Sequence, residues 1–286
     1  MTLAITAAAL DCALGSDAAA VEALLAGQIG VVAHPPLAPL PSDLAGLAKP
    51  DYRRWLKRRK DAKLMTRAAR LGLSTCARVV QGYTGDRQAL GLFIGVGREP
   101  PDDGEAEAAL AAAHQDGTLS EERLAGRGRD LYPPLLPLKT LPNMILAHAS
   151  IHLGIQGDNG AWAGDERASL QAVRAAYWAV MEGRCPAAII SGADSAVELG
   201  AARDRLRLRR HGPTGEGAAA LRIEPLETAS APLATLRLTT TPGGLPDHRP
   251  QLGDCGAAEG LMALTIAVFA GQAATIGPLV MQPWGE

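Results

Sequence analysis

Short apolar segments alternate along the chain with longer segments in which apolar residues recur at helical spacing. The apolar segments predict strands at residues 3–9, 89–96, 187–191, 217–224, 234–240 and 276–281, with a further extended segment at 157–162. The helical spacing predicts helices at residues 17–25, 52–81, 105–113, 141–153, 166–183 and 253–270. Strands that alternate with Ala-rich helices predict an α/β protein with a layered fold.

Proline, glycine and charge interrupt this alternation in two places. Residues 35–50 are rich in proline, which predicts a loop. The region from about residue 98 to 137 begins with a Pro/Gly break and mixes charge, glycine and proline around the helix predicted at 105–113. We interpret this second region as an insertion into the alternating pattern.

Composition narrows the classes of function. The chain of 286 residues has a formal net charge of -2 and a pI near 6.3, so it has no global attraction to nucleic acid or to an anionic membrane. No apolar stretch reaches the roughly 20 residues of a membrane span, and no basic segment opens the chain as in an export signal. The cysteines have neither C-x-x-C nor zinc-type spacing, which predicts free thiols and a cytoplasmic protein. They are Cys12, Cys76, Cys185 and Cys255.

Two patterns could hold a cofactor or a metal. Residues 215–217 are glycine-rich, but no Lys-Ser/Thr pair follows them as in a phosphate-binding loop. His148 and His152 lie four residues apart on a predicted helix, a spacing that allows two metal ligands on one face. No third ligand accompanies them, so packing in the core or at an interface is the preferred interpretation. We expect no metal and no other cofactor.

Four stretches resemble landmarks of the beta-ketoacyl synthases of the thiolase-fold family, in the same order. They are residues 2–27, residues 61–69, the series 141–157, 162–183 and 187–194, and the pair 215–227 and 253–260. The resemblance implies a thiolase-like layered α/β/α/β/α fold in one compact unit. Its N-terminal half would span residues 1–195, including the insertion, and its C-terminal half residues 196–286. The C-terminal half would be shortened, because family members have a long segment where this chain has only residues 228–252.

The chain differs from the family at the residues that catalyse condensation. In the family a cysteine at the sharp turn into the central helix attacks an acyl thioester, and counting back from Gly183 puts Glu166 at that position. A shift of one residue would put Asp165 or Arg167 there, and neither can carry an acyl group in this role. Asp254 replaces one of the two family histidines, and the other has no counterpart, since His248 lies in a Pro/Gly loop. Ionised carboxylates would repel the enolate that forms when a malonyl unit loses carbon dioxide. We therefore expect no condensation.

Two interpretations of Glu166 and Asp254 stay open. Both residues lie at the start of predicted helices, where the helix dipole alone favours acidic side chains. In the other interpretation the two carboxylates face the inherited acyl cleft as a catalytic acid/base pair, with apolar surroundings raising the pKa of one of them.

Positive charge is concentrated between residues 53 and 63. The basic residues of this run are Arg53, Arg54, Lys57, Arg58, Arg59, Lys60 and Lys63. A solvated helix face would explain the run. In the family, basic residues of this helix help to dock the acidic acyl carrier protein, so the resemblance implies a docking role. The residues implied are Arg54, Lys57, Arg58, Arg59 and Lys63. A second basic cluster could add to the positive electrostatic field of this run. Its residues are Arg203, Arg205, Arg207, Arg209 and Arg210.

The extended segment before Glu166 is the implied dimer strand. In this fold the segment pairs antiparallel with its copy across a two-fold axis. Its central residues are Asp158, Asn159, Gly160, Ala161 and Trp162. The segment has no proline and only one charge, so it lacks the devices that protect an exposed edge strand. We expect a homodimer, or a heterodimer with an active ketosynthase, that buries at least about 2,000 Å².

Two functions remain as hypotheses. The first is a non-condensing subunit in fatty acid or polyketide biosynthesis, acting as a structural or chain-length-factor-like partner of an active ketosynthase or a carrier protein. The second is an enzyme of changed chemistry that uses Glu166 and Asp254 as an acid/base pair on an acyl or other small substrate. An open pocket that reaches both carboxylates would favour the enzyme, and a filled cleft would favour the partner.

Overall fold

The computed structural model describes residues 2–32, 44–45, 50–98, 103–132, 136–198, 201–202, 204–205 and 212–285. The main strands are β1 (Leu3–Cys12), β2 (Gly91–Val96), β3 (Asn159–Ala163), β4 (Ala188–Ser195), β5 (Glu216–Pro225), β6 (Ala234–Gly243) and β7 (Ala274–Pro283). The main helices are α1 (Asp17–Leu25), α2 (Arg67–Val80), α3 (Asp103–Ala113), α4 (Met144–Leu153), α5 (Ala168–Met181) and α6 (Glu259–Ala270).

Shorter elements connect these strands and helices. The two-residue strands are Gly15–Ser16, Val31–Val32, Leu44–Ala45, His114–Gln115 and Thr118–Leu119. The 3₁₀ helices are Arg53–Trp55, Arg59–Leu64, Leu136–Thr140 and Gly256–Ala258. Short α-helical segments lie at Glu121–Arg123, Arg129–Leu131 and Arg249–Leu252, and the π-helical segment Leu124–Gly128 joins the first two.

The seven main strands form one mixed sheet in the order β7-β6-β1-β5-β4-β2-β3. Strand β2, next to the edge strand β3, lies parallel to both of its neighbours, β3 and β4, and all of its residues are buried. The pairs that link β4, β5, β1, β6 and β7 are antiparallel. The two edges of the sheet are therefore β3 and β7.

Helices cover both faces of this sheet. Helices α2 and α4 pack on one face, where the buried core includes Leu71 and Ile145. Helices α1, α5 and α6 pack on the other face. The sheet curls so that β7 lies over α5, and a Cβ added to Gly277 would come within 3.1 Å of the Leu170 side chain. The α/β class and the layered architecture that the sequence predicts are confirmed.

Several predicted boundaries were wrong. The predicted helix 52–81 is two 3₁₀ helices followed by α2, because the Thr66 side chain caps α2 by accepting a hydrogen bond from Ala69 N at 3.2 Å. The helix predicted at 253–270 begins only at Glu259, since Gly253 and Gly256 have φ angles of 72° and 52°. Most of the predicted loop 35–50 lies outside the described residues.

The insertion predicted at about 98–137 contains more regular structure than its composition suggested. Helix α3, a two-strand turn and the short helical segments of residues 121–131 occupy most of it. None of the helices in the described ranges is long and apolar enough to span a bilayer.

Candidate functional site

The turn from β3 into α5, residues 164–167, is called the elbow below. Asp165 closes it, since its carboxylate accepts a hydrogen bond from Arg167 N at 3.1 Å and its carbonyl accepts one from Ala168 N at 2.9 Å. The start of α5 lies very close to the sheet, because a Cβ on Gly95 would come within 2.4 Å of the Ser169 backbone. The glycine thus allows the close approach that fixes Glu166 in the elbow.

The start of α6 packs against the elbow. The buried Ser169 Oγ accepts a hydrogen bond from Leu261 N at 3.0 Å. A Cβ on Gly260 would come within 2.7 Å of the Glu166 carbonyl oxygen, so only glycine fits there. The first turn of α6, with Glu259, therefore meets the elbow, with Glu166.

Arg249 lies between these two glutamates. Its Nε and Nη2 donate to the Glu259 carboxylate at 3.1 and 2.9 Å, and its Nη2 lies 3.9 Å from Glu166 Oε2. Glu259 also accepts a hydrogen bond from Cys255 N at 3.1 Å. Burial raises the pKa of Glu259 to about 7; Asp254 contributes in the same direction, and the hydrogen bond from Arg249 opposes both.

A second arginine holds Asp254. Arg205 donates through Nη1 to Asp254 Oδ1 at 2.8 Å and through Nη2 to Asp194 Oδ2 at 2.7 Å. All three side chains are nearly buried, with 12%, 10% and 7% exposure for Arg205, Asp254 and Asp194. Burial alone would lower the pKa of Arg205, but the two carboxylates outweigh it and raise the pKa.

Backbone amides satisfy the same carboxylates. Asp194 accepts hydrogen bonds from Ser195 N at 2.8 Å and Ala257 N at 2.9 Å, and Asp254 accepts one from Gly256 N at 2.9 Å. A Cβ on Gly256 would lie 2.1 Å from both Arg205 Nη2 and Asp194 Oδ2. The space around this arginine is therefore filled.

The six residues form one site, which we call the ion-pair network. Its members are Glu166, Arg249, Glu259, Asp254, Arg205 and Asp194. The network includes both Glu166 and Asp254, and each lies beside a guanidinium, that of Arg249 and that of Arg205 respectively. Carboxylates held by arginines in this way are less available to a substrate than unpaired ones.

A small pocket of about 270 Å³, including its open mouth, lies next to the network. Its lining residues are Pro246, His248, Arg249, Leu252, Gly253, Cys255, Glu259 and Met262. Neither Glu166 nor Asp254 lines it. The Cys255 thiol is buried and its pKa is raised well above the ordinary value, chiefly by burial, so it stays protonated and is a poor nucleophile.

Sequence reasoning missed the arginines of the network. Arg205 was predicted to add to an exposed basic field, and this was wrong, because the side chain is buried between two aspartates. The other members of that cluster lie outside the described residues. Arg249 begins the short helical segment Arg249–Leu252, and no sequence spacing marks it. Asp194 and Glu259 belong to stretches that resemble the family, which was the available signal.

The run of basic residues from 53 to 63, called the basic loop below, is exposed at all seven of its basic side chains. Arg54 pairs with Asp51 at 2.9 Å, and Arg58 pairs with Asp61 at 3.1 Å. Within the described part of the chain the remaining five have no acidic partner. They are Arg53, Lys57, Arg59, Lys60 and Lys63.

The predicted dimer strand is β3, at an edge of the sheet. Asp158 O accepts a hydrogen bond from Leu92 N at 2.9 Å, and Gly164 N donates to Val96 O at 3.0 Å, so even-numbered residues direct their backbone groups toward β2. The backbone groups of Asn159, Ala161 and Ala163 then face outward. Asp158, the one charge of the segment, forms an ion pair with Arg184.

His148 and His152 lie with parallel rings whose centroids are 5.7 Å apart. Both are buried, and burial lowers the pKa of each. Among the residues that the structure describes, no cluster of three His, Cys, Asp or Glu side chains could hold a metal ion.

Comparisons with known proteins agree with this geometry. Residues 38–222 match the family model of the beta-ketoacyl synthase N-terminal domain. The match covers more than half of the chain, which therefore belongs to the beta-ketoacyl synthase family. A search of curated protein sequences finds no significant relative.

Solved structures share the fold at low sequence identity. The ishigamide ketosynthase/chain length factor is 18% identical over 98% of each chain, with a TM-score of 0.69. The apo AntDE:AntF complex, a type II PKS acyl-carrier protein with its ketosynthase bound to the hexaketide, is 13% identical over 98% of this chain and 97% of that chain, with a TM-score of 0.69. The ketosynthase from module 6 of the bacillaene synthase from Bacillus subtilis 168 is 11% identical over 100% of this chain and 67% of its own, with a TM-score of 0.68. The predicted thiolase-like fold is confirmed.

Proposed function

We propose that this chain is a non-condensing ketosynthase-like subunit that acts as a structural or chain-length-factor-like partner in fatty acid or polyketide biosynthesis. The proposal rests mainly on the residue that stands at the elbow. Where condensing enzymes of the family hold a cysteine, this chain holds Glu166, whose carboxylate lies 3.9 Å from Arg249. The four cysteines are all buried elsewhere in the fold.

Among the described residues, the contacts of Glu166 and Asp254 support a partner over an enzyme of changed chemistry. An acid/base pair needs both carboxylates in contact with a substrate. Here Asp254 pairs with the nearly buried Arg205, Glu166 lies beside Arg249, and the pocket next to them is lined by neither carboxylate. In this proposal both residues stabilise the site that formerly held the catalytic groups.

The β3 edge supports pairing with a second subunit. Its outward backbone groups belong to residues with no proline, and its one charge is held by Arg184. An exposed edge of this kind tends to pair with another strand. Antiparallel pairing of β3 across a two-fold axis would give a homodimer, or a heterodimer with an active ketosynthase.

The basic loop supports docking of an acidic acyl carrier protein. Five of its seven exposed cations have no acidic partner in the described ranges, so their charge is available to a partner surface. This refines the predicted set: Lys57, Arg59 and Lys63 carry the proposed contact, and Arg54 and Arg58 are partly neutralised by neighbours.

Assembly tests the partner role. Ala161→Pro removes an outward N–H and leaves the bonds to β2 in place, whereas the control Ala161→Ser keeps the N–H. A symmetric dimer of the proline variant loses two hydrogen bonds, about 2 kcal/mol. We therefore expect the dissociation constant of the dimer, measured by sedimentation velocity, to rise about 30-fold. For a heterodimer, the same variants are compared in the presence of an active ketosynthase. A stable monomer of the unmodified chain that also fails to bind a ketosynthase would remove the proposal.

Chemistry tests the absence of condensation. Purified protein incubated with acyl and malonyl thioesters should form no condensed product, and the elbow should take no label from cerulenin, which reacts with the ketosynthase cysteine. An active ketosynthase serves as the positive control. Stable acylation of a residue between 164 and 169, detected by mass spectrometry, would contradict the proposal.

A further inference from the structure

Two buried histidines of α4 hold the two ends of one segment of the basic loop. His152 Nδ1 accepts a hydrogen bond from Lys57 N at 3.2 Å, and His148 Nε2 lies 3.3 Å from Leu64 O. Between these anchors lies the 3₁₀ helix Arg59–Leu64. That helix carries three of the basic side chains that have no acidic partner in the described chain, at positions 59, 60 and 63.

The hydrogen bonds fix the tautomer of each ring. Lys57 N is a donor, so His152 Nδ1 must carry a lone pair and the proton lies on Nε2. Leu64 O is an acceptor, so His148 Nε2 carries the proton. A proton added to His152 would go to Nδ1 and would place two donors against each other, at Lys57 N and at the ring.

We propose that His148 and His152 are positioning residues that hold the basic loop in its docking conformation, and that protonation of His152 releases the loop at Lys57. The inference rests on the proposed docking function for its biological meaning, but the anchoring itself is a property of this chain alone. It assigns the histidine pair a role in presenting a surface, which its helical spacing did not suggest.

The charged groups around His152 set the direction of this effect. Asp61 Oδ2 lies 3.8 Å from Nε2 and favours a protonated ring, whereas His148, Lys57 and Arg58 disfavour it. Burial is the largest influence and also disfavours the charged ring, so the pKa of His152 lies below its ordinary value of 6.5. The loop is therefore held at neutral pH and released as the pH falls through the lowered pKa of His152.

Hydrogen exchange of the peptide that covers residues 53–64 tests the anchor without any carrier protein. After correction for intrinsic exchange rates, we expect exchange in the unmodified protein to become about fivefold faster as the pH is lowered stepwise from 7.5 to about 4.5, as loss of one hydrogen bond predicts. His152→Asn keeps an acceptor near the position of Nδ1 but does not titrate, so its protection should not change with pH. His152→Leu should exchange fast throughout this range.

Exchange of the β4 peptide, residues 188–195, shows whether each variant keeps the fold. Equal protection of the basic loop in His152→Leu and the unmodified protein would overturn the proposal, as would the same pH dependence in His152→Asn.

Binding to a purified holo acyl carrier protein at pH 7.5 then connects anchoring to docking: His152→Asn should bind like the unmodified chain, and His152→Leu should bind several-fold more weakly. If the unmodified chain binds no carrier, the docking function fails while the exchange result still decides the anchor.

Discussion

The ion-pair network and the basic loop use the same chemical groups in opposite ways. In the network, two arginines lie among four nearly buried or half-buried carboxylates, and Arg205 is only 12% exposed between its two aspartates. In the basic loop, seven exposed cations form ion pairs with only two acidic residues of the described ranges. Charge that is paired inside the protein fixes the fold, and charge that is unpaired at the surface is available to a partner.

The two regions also differ in how closely their charged groups are packed. In the network, a Cβ on Gly256 would lie 2.1 Å from Arg205 Nη2, and Arg205 bridges Asp194 and Asp254. In the basic loop, five cations have no acidic partner among the described residues. Under the proposed function, the network replaces a catalytic centre, and the basic loop and the β3 edge are the surfaces for assembly.

Removal of the buried arginine should have the largest effect. Arg205→Met keeps much of the side-chain volume but leaves Asp194 and Asp254 buried without their cation, which costs about 3–5 kcal/mol of unfolding free energy. Urea denaturation at fixed protein concentration measures the change.

Arg54→Met is the matched control, because it removes an arginine from an ion pair with Asp51 in which both side chains are exposed. Such pairs contribute only about 0–1 kcal/mol. If the two variants lose similar stability, the contrast between the buried network and the exposed loop is wrong.

Neutralisation of unpaired loop cations should come next in size. Arg59→Gln with Lys63→Gln should weaken binding to a holo acyl carrier protein about tenfold at low salt, or about 1.4 kcal/mol. Isothermal titration calorimetry at several salt concentrations measures the affinity, which should fall as salt is added.

The control for this variant is Arg54→Gln with Arg58→Gln. It changes the net charge by the same amount, so it matches the long-range attraction to the carrier. Because those arginines already contact Asp51 and Asp61, we expect a weakening of no more than about threefold. Equal effects of the two pairs would mean that direct contact with Arg59 and Lys63 contributes nothing.

The elements that sequence predicted correctly are those with one dominant signal. Strand β2 is apolar throughout and buried throughout, and α5 ends at Met181, two residues before Gly183, the glycine from which Glu166 was counted. The basic loop was predicted as helix because its composition suits a helix. Its conformation is instead set by contacts that are distant in sequence, such as that of Lys57 with His152.

The candidate site was predicted only in part for the same reason. Glu166 and Asp254 were found through the order of the family landmarks. Nothing in the local pattern marks their arginine partners, Arg205 and Arg249, as buried or paired cations, since arginines are mostly exposed. Only the folded chain brings Arg205 between Asp194 and Asp254.

The smallest expected effect concerns the member of the network that titrates near neutrality. The pKa of Glu259 is raised by burial from its ordinary value of 4.5 to about 7. A raised carboxyl pKa contributes stability that is fully present below 4.5 and is lost as the pH rises through about 7. Between pH 8 and pH 6 this residue should therefore add about 1 kcal/mol to the free energy of unfolding.

Glu259→Gln isolates this contribution from the opposing histidines. Burial lowers the pKa of His148, His152 and His248, so their contributions are present above 6.5 and are lost as the pH falls. The unmodified protein and Glu259→Gln share these histidines, so the difference between their urea denaturation curves reports the glutamate alone. We expect the unmodified protein to gain stability relative to the variant from pH 8 to pH 6. If the difference is constant over that range, Glu259 is fully ionised by Arg249 at neutral pH, and the network is a closed set of ion pairs with no titrating member.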